Sequence, residues 1–245
     1  MINKLVSFGC SWTFGDELMN PNIGDVHCTD PLNDTYRRNH SFSGLIAKHF
    51  GWDYRCLAFP GGSLQAMIWN LNWWLDITPE KERAETFVFV GLTDESRNSW
   101  YNPYYQNRLD DWGVHRYMHS IWLQGTDNIK DEPYMNEWRQ LNKLYYTLSD
   151  CDKAREIRYA ETVRFFDGVS ARYNIPMLQV KMLTQQTKPN VPTLLESDTV
   201  LNMLMSQCEP RTNSLFCAGL HPNEQGHQII SEYLIPEVKS VIMSE

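Results

Sequence analysis

Short apolar runs and longer stretches with apolar residues at helical spacing alternate from one end of the chain to the other. The first run, 5–8, is long enough for one strand and ends in Gly9-Cys10-Ser11-Trp12-Thr13. Residues 16–40 are polar and turn-rich, which predicts a long loop beside the end of that strand. Ser41 is placed to cap a helix over 42–50, where Phe42, Leu45, Ile46 and His49 or Phe50 recur at helical spacing. A second strand is predicted over 53–58 and a turn over 59–62. Ser63 then caps a helix to about Leu75, whose Leu64, Met67, Ile68, Leu71 and Trp74 form a buried stripe. The run 86–90, Thr-Phe-Val-Phe-Val, is apolar in its middle, as a central parallel strand covered on both faces should be.

Helices follow over 134–149 and 152–173, the second with Ile157, Ala160, Val163, Phe166 and Val169 on one face. Residues 176–181 form a fourth strand, a helix lies near 192–206, and 214–218 is a short last strand or extended segment. The terminal helix starts after His221-Pro222-Asn223, and Pro236 should kink or divide it. This alternation predicts an α/β domain of three layers: a parallel sheet of about five strands with helices on both faces. No internal repeat or linker divides residues 1–245. Right-handed crossovers place the ends of the first three strands and the final loop on one rim, where open α/β sheets bind ligands. The Ser11, Gly61, Thr93 and His221 segments are therefore expected to meet.

Composition narrows the function. With 42% hydrophobic and 21% charged residues in 245, the chain fits one folded domain. A net charge of −8 argues against a general nucleic-acid partner. No run of about 18 apolar residues exists to span a membrane. The chain enters its first strand without a charged leader and long apolar region, the pattern of a protein without a signal peptide. Cys10, Cys28, Cys56, Cys151, Cys208 and Cys217 are scattered, with no CxxC, which predicts free thiols and a cytoplasmic location. Aromatic content reaches 13%, and much of it falls in 98–133, including Trp100, Tyr101, Tyr104, Tyr105, Trp112, Tyr117 and Trp122. Interleaved with polar residues, these make a poor core pattern and predict a lid or insertion.

Four segments, in order, resemble the blocks of the SGNH (GDSL-like) hydrolase superfamily. Gly9-Cys10-Ser11-Trp12-Thr13 resembles its Gly-Asp-Ser-x-Thr block, and Pro60-Gly61-Gly62-Ser63 resembles the block whose glycine N–H serves the oxyanion hole. Gly91-Leu92-Thr93-Asp94 falls where Gly-x-Asn-Asp is expected, and His221-Pro222-Asn223 with Gly226-His227 resembles the last block. The resemblance implies a flavodoxin-like fold and a serine esterase without metal or cofactor. It makes Ser11 the nucleophile, His221 the base, and Ser11, Gly61 (Gly62 the alternate) and Thr93 the oxyanion hole. Two positions depart from the pattern. Thr93 replaces the oxyanion-hole Asn, with Arg97 a better-charged substitute than Asp94. Ala218 replaces the aspartate usually found three residues before the histidine. A backbone carbonyl in 217–220 is expected to accept the Nδ1 proton instead, giving a Ser–His dyad.

Each of these residues also has a plainer reading. Ser11 could be a helix cap, Cys10 a buried thiol rather than a rival nucleophile, and His227 a packed structural histidine. His115 and His119 lie one turn apart if helical but lack a third ligand at matching spacing. The Trp and Tyr residues could form the insertion's own core or stack on sugar faces. The second use tilts the substrate towards a carbohydrate ester, with Arg97, Trp100 and Tyr101 as contacts. An alternative from another class is a catalytically impaired binding protein on the same fold, recognising a carbohydrate or similar ligand.

Overall fold

The computed structural model describes residues 1–24, 26, 30–97, 99–101, 118–120, 135–184, 186, 189–209 and 212–244. Strand β1 (Lys4–Phe8) leads into a single helical turn, α1 (Ser11–Phe14). Helices α2 (Pro31–His40) and α3 (Phe42–Phe50) precede β2 (Asp53–Cys56), and α4 (Leu64–Ile77) with the short α5 (Glu80–Ala84) leads to β3 (Thr86–Leu92). A small antiparallel pair follows, β4 (Ser99–Tyr101) with β5 (Met118–Ser120). The chain continues through α6 (Met135–Leu148), α7 (Asp152–Tyr173), β6 (Met177–Lys181), α8 (Val200–Gln207) and α9 (Glu224–Met243).

The main sheet is parallel, with strand order β2-β1-β3-β6. Alternate residues of its strands serve opposite faces, as a pleat requires. Val6, Phe8, Val88 and Val90 pack with Leu71 and Trp74 of α4 and Val163 and Phe166 of α7. Leu5, Phe87, Phe89 and Val180 pack on the other face with Phe42 and Ile46 of α3, Leu204 of α8 and Ile230 and Leu234 of α9. All seven residues of β3 are buried, which accounts for its unbroken apolar middle. The strand order reverses direction between β1 and β3, and the crevice beyond their carboxyl ends is where such sheets take ligands.

The three-layer α/β architecture is as expected, with several local corrections. Among the described residues the main sheet has four strands rather than about five, because 214–218 makes only an isolated bridge, Phe216 to Pro222. Part of the predicted 192–206 helix instead lies along the outer edge of β6, where Gln179 N–H donates to Thr193 O at 2.7 Å and Leu195 N–H to Gln179 O at 2.9 Å. That edge contact consumes the ladder groups a helix would need, so α8 starts only after its cap, Thr199. The predicted 16–40 loop contains α2, capped by Asp30 with Pro31 in its first turn. Pro236 leaves α9 continuous: it sits on the exposed side, where water can satisfy the carbonyl it leaves without a donor. On α7, Ile157 is 46% exposed and Tyr159 is buried in the core.

Most of 98–133 lies outside the described residues, and with it the question of a lid. Cys28 and His115 lie there too, while the other five cysteines are free thiols. Among the described residues, no helix is long and apolar enough to cross a membrane.

Candidate active site

The site is built where the two ends of the chain meet. Cys10, not Ser11, occupies the N-cap of α1, so the Ser11 hydroxyl is not a capping group. Ser11 is the first residue of the turn and is 5% exposed. Its carbonyl accepts N–H bonds from Gly15 at 3.0 Å and Asp16 at 2.9 Å, with Gly15 at φ 82° ending the turn. Small residues make this geometry possible. A Cβ on either Gly9 or Gly91 would come within 2.2 Å of Thr13 Oγ1, so the side chain of Thr13 fills the space between the ends of β1 and β3.

His221 is carried by a tight loop closed by Cys217 N–H to His221 O at 2.8 Å and Leu220 N–H to Cys217 O at 3.0 Å. Asn223 fastens the loop to α9: its side chain caps Gly226 N–H at 2.9 Å and donates to Ser214 O at 2.8 Å. The loop is docked on α1 through the Trp12 and Phe216 rings, whose centroids are 5.9 Å apart.

Between the two segments stands Glu17. His221 Nδ1–H donates to Glu17 Oε2 at 2.7 Å, and Gly219 N–H donates to Glu17 Oε1 at 2.9 Å. Burial pushes the Glu17 pKa up, but the bonds from His221 and Gly219 outweigh it and hold the carboxyl below its ordinary value. The expected backbone-carbonyl partner for Nδ1 is therefore corrected: a carboxylate from the segment behind the Ser11 turn takes that role. Glu17 and Leu220 both have left-handed backbone, φ 65° and 63°. That conformation costs about 1–2 kcal/mol in a residue with a Cβ, and here it brackets a single contact.

The other ring nitrogen, Nε2, lies 3.8 Å from Asp16 Oδ2. The histidine thus reaches the segment hydrogen-bonded to Ser11, although among the described residues Ser11 Oγ makes no hydrogen bond to the ring.

Gly61 has φ 74° and its N–H has no acceptor among the described residues, whereas Gly62 N–H is taken by Phe59 O at 3.1 Å. This favours Gly61 over Gly62 as a donor. Thr93 follows β3, is wholly buried, and its hydroxyl has no partner among the described residues. Arg97 is 7% exposed, and Asp94 Oδ1 is occupied by Ser96 N–H at 2.7 Å. The backbones of Trp100 and Tyr101 belong to β4, and their side chains lie outside the described residues.

Cys10 is fully buried. Burial and the charges of Glu17, Asp16 and Glu224 push the Cys217 thiol up, away from the reactive thiolate. His227 is a structural residue: its Nδ1 accepts Phe42 N–H at 3.2 Å, and burial lowers its pKa to about 3. Among the described residues, no three His, Cys, Asp or Glu side chains group to hold a metal ion. An open cavity of ≈ 420 Å³ beside Lys181, Asn190, Leu194 and Asp198 shares no lining residue with this site.

No family model matches the chain, and no curated protein matches it. Similar solved structures exist. One is a carbohydrate esterase whose active site displays divergent catalytic and non-catalytic binding functions, at 15% identity and TM-score 0.48 over 97% of this chain and 65% of that one. Another is an acetyl xylan esterase, Est2A, from the rumen bacterium Butyrivibrio proteoclasticus, at 12% identity and TM-score 0.47 over 98% and 64%. A third is a member of the lipolytic G-D-S-L family from Veillonella parvula, at 12% identity and TM-score 0.38 over 95% and 96%. The chain spans about two thirds of the length of the first two.

Proposed function

We propose that this protein is a serine esterase acting on small acyl esters, with O-acetylated carbohydrate the favoured class. Ser11 Oγ attacks the ester carbonyl while His221 Nε2 takes the hydroxyl proton. Collapse of the tetrahedral intermediate breaks the ester C–O bond, and His221 returns the proton to the departing alkoxide. Water, deprotonated by His221, then attacks the acyl-enzyme and releases the acid and free Ser11. The N–H groups of Ser11 and Gly61, with the Thr93 hydroxyl, receive the oxyanion. The observation that carries this reading is the seating of His221: one ring nitrogen is held by a carboxylate, and the other faces the segment that bears Ser11. The carbohydrate preference rests on the Trp and Tyr residues of 98–133, with Arg97, Trp100 and Tyr101 as substrate contacts.

A second reading, a ligand-binding protein with impaired catalysis, is favoured by the absence of a described bond from Ser11 Oγ to the ring and by Thr93 in place of Asn. One assay separates the two. Wild type, Ser11→Ala and His221→Ala are incubated with p-nitrophenyl acetate and with a fluorophosphonate probe. The esterase requires labelling of wild type but not of Ser11→Ala, and hydrolysis that both substitutions abolish. Hydrolysis that is absent, or unchanged by both, favours the binding protein.

A further inference from the structure

We infer that Glu17 is the positioning residue of this site, an acid supplied from behind the nucleophile turn in place of the one lost at Ala218. The inference rests on the reading of Ser11 and His221 as nucleophile and base. An ionised carboxylate can only accept hydrogen bonds, so the 2.7 Å contact requires the proton to be on His221 Nδ1. In the neutral ring that leaves the Nε2 lone pair free, the tautomer a general base needs.

Glu17 cannot easily swing away. Its second oxygen is held by Gly219 N–H at 2.9 Å, and the Cys217 thiol lies 4.0 Å from its carbonyl oxygen. The titratable groups around this contact are Asp16, which faces the ring, the neutral Cys217 thiol with Glu224 beyond it, and the buried His227; the carboxylate of Asp16 adds negative potential where an imidazolium would form. The carboxyl's lowered pKa is consistent with a charge-stabilising role.

Gly219 supplies an independent handle on the same contact. A Cβ there would lie 2.5 Å from Glu17 Oε2 and 3.0 Å from Oε1. Those atoms are the far end of a flexible side chain, so an alanine displaces the carboxylate at little cost to the fold.

The test compares Glu17→Gln, Glu17→Asp and Gly219→Ala with wild type, Ser11→Ala and His221→Ala. It reads p-nitrophenyl acetate kinetics, thermal melting, and the His221 tautomer by long-range proton–nitrogen NMR. We expect Glu17→Gln to lower kcat/KM by about 100- to 10,000-fold; losing the tautomer-setting acid in a serine-protease triad costs about 10,000-fold. Glu17→Asp should recover part of the loss, and Gly219→Ala should fall between, with melting temperatures near wild type. The wild-type ring should carry its proton on Nδ1, and Glu17→Gln should move it towards Nε2. Wild-type rates in Glu17→Gln and Gly219→Ala, with His221→Ala inactive, would overturn the inference while leaving the esterase standing. If Ser11→Ala and His221→Ala change nothing, the esterase reading fails instead. The NMR spectrum then decides alone: a wild-type proton on Nε2 refutes the role of Glu17.

Discussion

Gly62 tests how closely the turn carrying Gly61, the proposed oxyanion donor, is pressed against the turn carrying Ser11. A Cβ at Gly62 would lie 2.7 Å from Gly9 O, 3.2 Å from Phe59 O and 3.3 Å from Cys10 Cα. All three are backbone atoms, so no side chain can rotate to make room. Restoring an ordinary contact of 3.4 Å to Gly9 O separates the two turns by about 0.7 Å. Overpacking of this kind costs about 1–3 kcal/mol. For a chain of 245 residues that lowers the melting temperature by roughly 2–12 °C. Gly61 moves with its neighbour, and a misplacement of about 1 Å in a catalytic array costs about 100-fold in rate. Gly62→Ala should therefore melt earlier and lose about 10- to 100-fold in kcat/KM for p-nitrophenyl acetate. The control is Gly168→Ala in α7, where an added Cβ meets nothing within 4 Å and helix propensity alone should add about 0.5–1 kcal/mol. A Gly62→Ala protein that melts and turns over like wild type would show that the two turns are not in contact.

Two further outcomes concern stability. His227 has a folded pKa of about 3 against an ordinary 6.5, so the unfolded chain binds its proton first and stability falls as pH drops below about 6.5. Urea unfolding between pH 7 and pH 5 should show a loss approaching about 1.4 kcal/mol per pH unit from this residue, and His227→Gln should remove it. Arg37 is 1% exposed, donates to Phe14 O and Asp34, and lies 3.5 Å above the Phe14 ring. Arg37→Ala strips Phe14 O of its buried donor, while Asp34 keeps Arg38 Nε at 2.7 Å, and should cost about 1–3 kcal/mol in chemical denaturation, against less than 1 kcal/mol for an ordinary surface Arg→Ala.

Where a single local rule governs an element, the sequence announces it. Ser41 and Ser63 cap α3 and α4 as their spacing implies, and α7 runs over the predicted 152–173 because Asn174 adopts the left-handed cap. Elements decided by tertiary contact were harder to read. Helix α2 has few apolar residues, so the polar, turn-rich composition of 16–40 reads as loop although Asp30 caps a helix there. Composition alone has Pro236 kink or divide α9, whereas its exposure decides whether the freed carbonyl can reach water. The Ser11, Gly61 and Thr93 segments follow β1, β2 and β3 and can be placed by topology, since parallel strands put their ends together. Glu17 cannot, because its role depends on a left-handed backbone at a non-glycine residue and on a loop at the other end of the chain. The one available signal was the adjacent pair Asp16-Glu17 directly after the Ser11 block, coupled with the missing acid at Ala218.

That coupling has a physical basis. What an imidazole needs from its partner is an acceptor in the ring plane at Nδ1, and the direction from which the chain delivers it is immaterial to the bond. At this rim the His221 loop is flanked on one side by its own backbone and on the other by the segment leaving α1. An acid from the first side needs no change in backbone, whereas one from the second must turn back on itself. Glu17 makes that turn at φ 65°, and Gly219, lacking a Cβ, leaves the space into which the carboxylate fits. An alanine at 218 and a glycine at 219 are thus complementary: the first removes the usual acceptor, and the second admits a substitute. Restoring an acid by Ala218→Asp in the Glu17→Gln background should rescue activity only if the backbone at 217–220 can present it to Nδ1. With Leu220 held at φ 63° and Cys217 N–H bound to His221 O, the loop is already committed to its present shape, so rescue should be partial at most.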